Sequence, residues 1–357
     1  MKQDKEFVAI TGYYGSGSSA VLALLSEFEN MCISKGKGIE YEHVLFYADG
    51  GLFDFAEAIL HENNPMKSDA AVNAFRDCMN KLYNNDFGWF GSYKVLYGDS
   101  FLKITNQYIN NLSYMVEGGS NVNHYTHVST SFMKAVIQLA ARIIWKRPIY
   151  KLGRQYHYDK KPLYVCLPDQ NKFLQETKHF TSNYLELTSG DNAITLYDHL
   201  LLPQHHSLLD IYFDNRLKLI IVLRDPRDLY ICDKYIWSQK SMYGKRFFPD
   251  TPEAFVNYWK KVVVHPYENK HILFLHFEDI VYQKKKVITD LSAFLGIDAS
   301  AWTQEHKNFD ERVSIYNTQV FKSNPEWLKE VAYIEENLTQ YLYDFPFESD
   351  HKLRRVF

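Results

Sequence analysis

"GYYGSGSS", residues 12–19, decides how this chain is to be read. It follows the apolar run FVAIT (7–11) and leads into SSAVLALLSEF (18–28), where Val21, Leu24, Leu25 and Phe28 recur at helical spacing. An apolar run, a glycine-rich break and a 3.6-residue period predict a strand, a tight turn and a helix. Gly12, Gly17 and Ser19 satisfy the phosphate-loop template G-x-x-x-x-G-K-[ST], but Ser18 stands where the template has lysine. In such a turn, successive backbone N–H groups and the positive end of the helix face an anion. Gly15 and Gly17 let the backbone approach it, and the hydroxyls of Ser16, Ser18 and Ser19 can donate to it. A branched side chain at Gly17 is expected to fill the anion's space and leave the protein folded. A ligand-free reading also exists, in which Ser18 simply caps the helix.

Three further apolar runs extend the pattern: LKLIIVL (217–223), HILFLHF (271–277) and PLYVCL (162–167). Short continuous runs of this kind suit strands buried on both faces of a parallel sheet. A helical pattern with Val287, Leu291, Phe294 and Leu295 ends at Gly296. Together these predict an α/β fold, a three-layer parallel sheet flanked by helices. From about 50 to 160 the strand signal fades into helical, aromatic-rich sequence, read as an acceptor-side insertion within a single domain, 1–357.

Composition narrows the partners. The 357 residues are 46% hydrophobic, enough for a full core, and the formal charge of −3 gives no basic face for nucleic acid or an anionic membrane. Cys32, Cys78, Cys166 and Cys232 form no C-x-x-C pair, so neither a zinc site nor a disulfide framework is expected. The amino-terminal MKQDKEFVAITG has no apolar stretch long enough for a signal peptide or membrane span. A cytoplasmic, reducing location is the expectation.

The second constellation is IIVLRDPRDLYICDKYIW, residues 220–237. Arg224 and Arg227 follow a strand end, Pro226 sets the turn, and Asp228 can orient an arginine or cap the next helix. Ligands of open α/β sheets bind at the carboxyl ends of strands, and a guanidinium fork matches a phosphate. A surface ion-pair cluster would explain the same residues without a ligand.

Taken in order, the two motifs resemble the sulfotransferase family that uses 3′-phosphoadenosine 5′-phosphosulfate. Its loop for the 5′-phosphosulfate, [KR]-[ST]-G-[ST]-[ST], corresponds to Gly15-Ser16-Gly17-Ser18-Ser19. Its second signature, R-[DN]-P-[RK]-D followed by a serine, holds the 3′-phosphate and corresponds to Arg224-Asp225-Pro226-Arg227-Asp228. FEDIVYQKKKVITDLSAFLGI (277–297) and VSIYNTQVFKSNPEWLKEVAYIEENLTQYLYDF (313–345) are weaker similarities. Two positions depart from the pattern. Gly15 replaces the usual loop cation, and Cys232, a poor hydrogen-bond donor, replaces the serine. The resemblance implies Gly15, Ser16, Gly17, Ser18, Ser19, Arg224, Arg227 and Cys232 as cofactor-binding positions, with adenosine 3′,5′-bisphosphate as product. It implies in-line sulfuryl transfer without a metal, to a hydroxyl or amine of a saccharide or lipid-linked glycan.

Cations to replace the loop lysine are sought in Arg227 and in WKRPIYKLGR (145–154), and acceptor contacts in RPIYKLGRQYHYDKK (147–161). For the base, Glu42 and His206 rank first, ahead of His205 and Asp49; Glu42 is placed on a second strand ending near the loop, and histidine has a near-neutral intrinsic pKa. Two other functions stay open: a kinase-like nucleotide enzyme with a degenerate loop, and an inactive binding protein of the same fold.

Overall fold

A computed structural model of the chain describes residues 5–116, 163–237 and 249–347, with 136, 139–140, 143–144, 150–152 and 155–157 between them. In chain order the strands are β1 (Glu6–Gly12), β2 (Met31–Ile33), β3 (Tyr114–Val116), β4 (Tyr150–Leu152), β5 (Gln155–His157), β6 (Leu163–Val165), β7 (Ile194–Asp198), β8 (Leu217–Leu223) and β9 (Ile272–His276). Five of them make one sheet in the order β2-β7-β1-β8-β9, with every pairing parallel. The chain divides into two compact units: Met1–Val44, Asp86–Tyr97 and Thr181–Phe357 form the first, Leu45–Asn85 and Gly98–Phe180 the second.

The parallel sheet belongs to the first unit, and its central strands are apolar on both sides because helices cover both. On one face Val8, Ile10, Ile220 and Val222 pack with Val21, Leu22 and Leu25 of the helix Ser18–Leu25 and with Val287, Leu291 and Leu295 of the helix Lys284–Leu295. On the other, Phe7 meets the edge of Tyr197, whose hydroxyl donates to the Leu185 carbonyl in the helix Gln170–Thr188. Two-sided burial is what continuous valine, isoleucine and leucine runs demand, so the α/β/α layering follows from them.

One expected strand sits elsewhere. PLYVCL supplies β6, which pairs antiparallel with β3 in a two-stranded sheet of the second unit, not with the parallel sheet. Leu163, Tyr164 and Val165 are all half-buried, as suits a small two-stranded pair. The remaining parallel strands are β7, whose ITLYD is buried throughout, and the three-residue β2. In the second unit, helices Leu52–Leu60, Pro65–Asn84 and Ser100–Leu112 surround an aromatic cluster in which Phe55 stacks on Phe75 and Tyr108 on Phe180. Asn64 accepts hydrogen bonds from the Met66 and Lys67 amides and starts the longest of these helices, with Pro65 at its first position. Among the described residues, no helix is long and apolar enough to cross a membrane.

The turn from β1 into its helix positions the site. Gly15 has φ of 76° and Gly17 of 87°, both left-handed. Gly17, rather than Ser18, is the residue that precedes the helix, and no side chain caps the first-turn amides. A Cβ added at Gly17 would also lie 2.5 Å from a ring carbon of Phe277. A larger residue at 17 therefore disturbs the fold itself and does not probe the anion site alone, contrary to the sequence-based expectation. Gly17→Ala should cost at least about 1–2 kcal/mol from backbone conformation, and Gly17→Val more, as read by urea denaturation; an unchanged midpoint would contradict this account of the turn.

Candidate active site

Because the sheet is parallel, the residues that leave its strands at their carboxyl ends collect along one edge, where ligands of open α/β sheets bind. Along this edge, in strand order, stand Glu42 beyond β2, Asp198 and His199 at β7, the 12–19 loop after β1, Arg224 after β8, and Phe277 and Glu278 after β9.

Arg224 joins the two sequence motifs. Its Nη1 donates to the Gly15 carbonyl at 2.6 Å across 209 residues of sequence. Its Nη2 donates to the Asn317 carbonyl and lies 3.6 Å from Cys232 Sγ, and the guanidinium stacks over Phe277 at 5.1 Å. The side chain is 1% exposed. Burial disfavours its charge, but Cys232, Asp228, Glu278 and Asp233 surround it, and the net shift of its pKa is upward. Asp228 accepts from the Gln319 and Phe321 amides at 2.7 and 3.1 Å, tying this turn to the carboxyl-terminal segment.

The acids around Arg224 are held towards their neutral forms. Burial pushes Asp228 up to about 7 although Arg224 opposes it. Asp233 is also pushed upward by burial. Glu278 rises to about 8, first through burial and then through the charge of Asp225. One Glu278 oxygen accepts from the Asp225 amide at 2.9 Å; the other is buried without a hydrogen-bond partner among the described residues.

Arg227 and Cys232 turn inward. Arg227 forms ion pairs with Asp225 and Glu335 at 2.7 and 2.8 Å and lies 4.4 Å over the Phe321 ring. Its charge is committed to holding the turn against the carboxyl-terminal helix Pro325–Asn337. The Cys232 thiol is fully buried at the start of a π-helical stretch, Cys232–Trp237, and burial pushes it up to about 12. It remains a thiol at neutral pH.

The loop itself suits an anion. Ser16 Oγ and Thr11 Oγ1 are buried with no hydrogen-bond partner among the described residues, and no side chain caps the first-turn amides of the helix. Donors placed without protein partners in this way fit an oxyanion such as a phosphosulfate. Ser18 is buried as the first helical residue, Ser19 is half-buried beside it, and Gly15 presents its carbonyl to Arg224.

The neighbouring strand brings a histidine that the sequence reading passed over. His199 follows β7 directly, and its amide donates to the Ile10 carbonyl of β1 at 2.9 Å. Its φ of 44° is rare for a residue with a side chain, a strain often met at functional sites. Its Nδ1 is 2.8 Å from Asp198 Oδ1, and the side chain is 19% exposed. Burial lowers its pKa, but the Asp198 hydrogen bond and charge, Glu42 and the Gly12 carbonyl outweigh burial, so the net shift is upward. Glu42 is near this pair, on a single parallel bridge to Asp198 and not on the extended second strand expected. Its amide donates to the Trp89 carbonyl at 2.8 Å.

The other expected bases stand in other turns. Pro203 starts a 3-10 turn, Pro203–Leu208, in which His206 Nδ1 lies 3.1 Å from the Pro203 carbonyl and the ring faces Tyr267. Asp49 is exposed in a turn of the second unit. Of the basic segments, only β4 and β5, an antiparallel pair, are among the described residues; the rest of 145–161 lies outside them.

This fold and edge agree with the family comparison. The model of the sulfotransferase domain matches residues 5–340, nearly the whole chain. The chain belongs to the sulfotransferase family. No curated protein matches it. Among solved structures, a sulfotransferase domain from the curacin biosynthetic pathway aligns at 10% identity and TM-score 0.36, covering 97% of this chain and all of that one (100%). A sulfotransferase domain from the Synechococcus PCC 7002 olefin synthase aligns at 13% identity and TM-score 0.33, covering 98% and 92%. A sulfotransferase from Alicyclobacillus acidocaldarius aligns at 11% and 0.30, covering 93% and 94%. TM-scores of this size lend no support of their own.

Glu278 gives a signed pH dependence. Its pKa rises from 4.5 to about 8, so the folded chain holds a proton that the unfolded chain releases. The resulting stabilisation is complete below pH 4.5 and is lost as pH climbs through about 8. Glu278→Gln keeps an acceptor for the Asp225 amide and cannot ionise. Its stability relative to wild type should therefore improve steadily across that window in urea denaturation; parallel pH profiles for the two proteins would show that Glu278 is ionised in the fold.

Proposed function

We propose that this chain transfers a sulfuryl group from 3′-phosphoadenosine 5′-phosphosulfate to a hydroxyl or amine of a saccharide or lipid-linked glycan, leaving adenosine 3′,5′-bisphosphate. The observation that carries the reading is the direct bond from Arg224 to Gly15, which joins the two expected anion-binding motifs at one sheet edge. A cytoplasmic site of action belongs to the same reading and is supported by four free thiols. We regard 1–357 as one such domain, with the helical segment from about 50 to 160 as its insertion.

The donor, when bound, supplies an already activated sulfuryl group, so positioning and charge stabilisation are the main demands on the protein. The first-turn amides, Ser16, Ser18 and Ser19 would hold the sulfated phosphate. Arg224 fixes the Gly15 carbonyl on its own side of the loop, which keeps an acceptor oxygen away from the anion. With glycine at 15, positive potential at the leaving oxygen comes from the helix end and the adjacent guanidinium. His199 would take the acceptor's proton on its ring, while Asp198 holds Nδ1 and, with the Gly12 carbonyl that also bonds the ring, stabilises the imidazolium that forms. Glu42 adds negative potential next to the same ring.

The site thus divides into a donor side, β1 with β8 and β9, and an acceptor side, β7 with the Glu42 edge. Calorimetry with adenosine 3′,5′-bisphosphate should show binding that ATP with magnesium does not match; the reverse preference would remove the sulfotransferase donor. His199→Gln should lower turnover of sulfur-labelled donor by about 10²–10⁴ while leaving the bisphosphate dissociation constant unchanged. Wild-type turnover should rise with pH through a pKa above 6.5, since the base acts deprotonated. Full turnover by His199→Gln, with loss in Glu42→Gln, would move the role of base to Glu42.

A further inference from the structure

A pocket of about 270 Å³ opens to solvent just beyond Glu42, lined by Lys37, Ile39, Glu40, Tyr41, Gly88 and Trp89 among others. Its walls are built by the way the chain leaves and rejoins the sheet edge. The Ser34 amide donates to the Leu196 carbonyl at 2.8 Å, residues 35–41 loop outward, and Glu42 returns to bridge Asp198. The opposing wall is the turn 86–91, closed by a bridge between Asp86 and Gly91 and stiffened by Phe87 stacked on Phe90 at 4.5 Å. Three bonds pin the walls together: the Tyr41 hydroxyl to the Gly91 carbonyl, the Lys37–Asp86 ion pair, and the Glu42 amide to the Trp89 carbonyl. On this frame Trp89 is 53% exposed and Phe87 42%.

Phe90 joins Phe87 and Trp89 into one partly exposed aromatic patch with a charged rim, the form in which apolar surface marks a binding groove. The pocket is too small for a large apolar ligand and sits near the lower end of ligand cavities, a size for one ring. An indole face suits the C–H face of a pyranose, while Lys37 can donate to sugar hydroxyls and Glu40 can accept from them. Strand spacing fixes its distance from the chemistry. The step from the end of β7 to Glu42, and from Glu42 through its amide bond to Trp89, is two strand spacings, roughly 10 Å between the backbones. A hydroxyl at His199 and a ring on Trp89 therefore belong to different sugars.

We propose that this pocket is a distal acceptor subsite in which Trp89 stacks the second pyranose ring of an oligosaccharide, with Lys37 and Glu40 bonding its hydroxyls. The proposal rests on the sulfuryl-transfer reading and deepens it: the acceptor is longer than one sugar, and its length is read away from the reacting hydroxyl. A phenolic acceptor, which would stack without needing the charged rim, is the alternative the test separates.

The test uses the full chain, fluorescently labelled and saturated with adenosine 3′,5′-bisphosphate, on an array of immobilised neutral and uronic-acid oligosaccharides with their component monosaccharides and simple phenols. Binding to oligosaccharides over their monosaccharides is expected. Trp89→Ala should weaken it about tenfold or more, and Trp89→Tyr should restore part of it, because truncating an aromatic anchor removes the stacking face. A wild-type protein that binds no oligosaccharide, that binds monosaccharides equally well or that prefers phenols overturns the proposal, as does undiminished glycan binding by Trp89→Ala. Calorimetric binding of adenosine 3′,5′-bisphosphate, measured on the same samples, keeps the two readings apart. Its retention with a blank array sinks the subsite alone, and its absence from the wild type sinks the donor assignment. Equal bisphosphate affinity in Trp89→Ala shows that the variant is folded.

Discussion

A fully buried guanidinium is the constraint around which this site is organised. Removing an ion from water costs several kcal/mol even after relaxation, so Arg224 can exist only where carbonyl and carboxyl groups converge on it. The Gly15 and Asn317 carbonyls do so from opposite ends of the sequence, and Phe277 closes the face of the fork. Meeting that demand pins the 12–19 loop, the end of β8 and the carboxyl-terminal segment to one another. The conformation of the loop is therefore partly a property of residues hundreds of positions away.

The same demand explains the acids nearby. Asp225 is satisfied by Arg227 and by backbone amides, which frees Arg224 for the loop. Asp228 spends its oxygens on the Gln319 and Phe321 amides, and Glu278 meets the Asp225 amide. Burial raises the pKa values of Asp228, Asp233 and Glu278, which weakens the charge they set against the guanidinium. Cys232 fits this environment: a neutral, buried thiol against the guanidinium adds no charge that would compete with a ligand.

Position along the sheet edge gives the chemistry its polarity. Anion-holding groups cluster at β1 and β8, whereas the ionisable groups able to move a proton, Asp198, His199 and Glu42, stand on the β7 side. Neighbouring strands in a parallel sheet are a few ångströms apart, so groups on β1 and β7 can reach opposite ends of one small transferred group. His199 gains its place through backbone bonding to Ile10, and its unusual φ shows that packing at this corner over-determines it.

Sequence alone determined the parts whose signals are local. FVAIT, LKLIIVL and HILFLHF are long enough and apolar enough to be strands buried on both faces, and the glycine-rich break at 12–17 marked a tight turn between strand and helix. The Arg-Asp-Pro-Arg-Asp turn was equally plain, since proline and aspartate fix it within a few residues. Short elements were not legible in the same way. PLYVCL and ITLYD look alike as apolar runs, yet one pairs antiparallel with β3 and the other lies beside β1, a choice made by distant partners. That choice decided the proton-handling group: His199 and His206 are seven residues apart, and only the end of β7 and the turn begun by Pro203 separate a histidine at the loop from one facing Tyr267. Which arginine meets the loop was likewise settled in three dimensions, where Arg227 is spent on ion pairs and Arg224 is held by carbonyls, because the cost of burying a charge is set by what surrounds it and not by its neighbours in the chain.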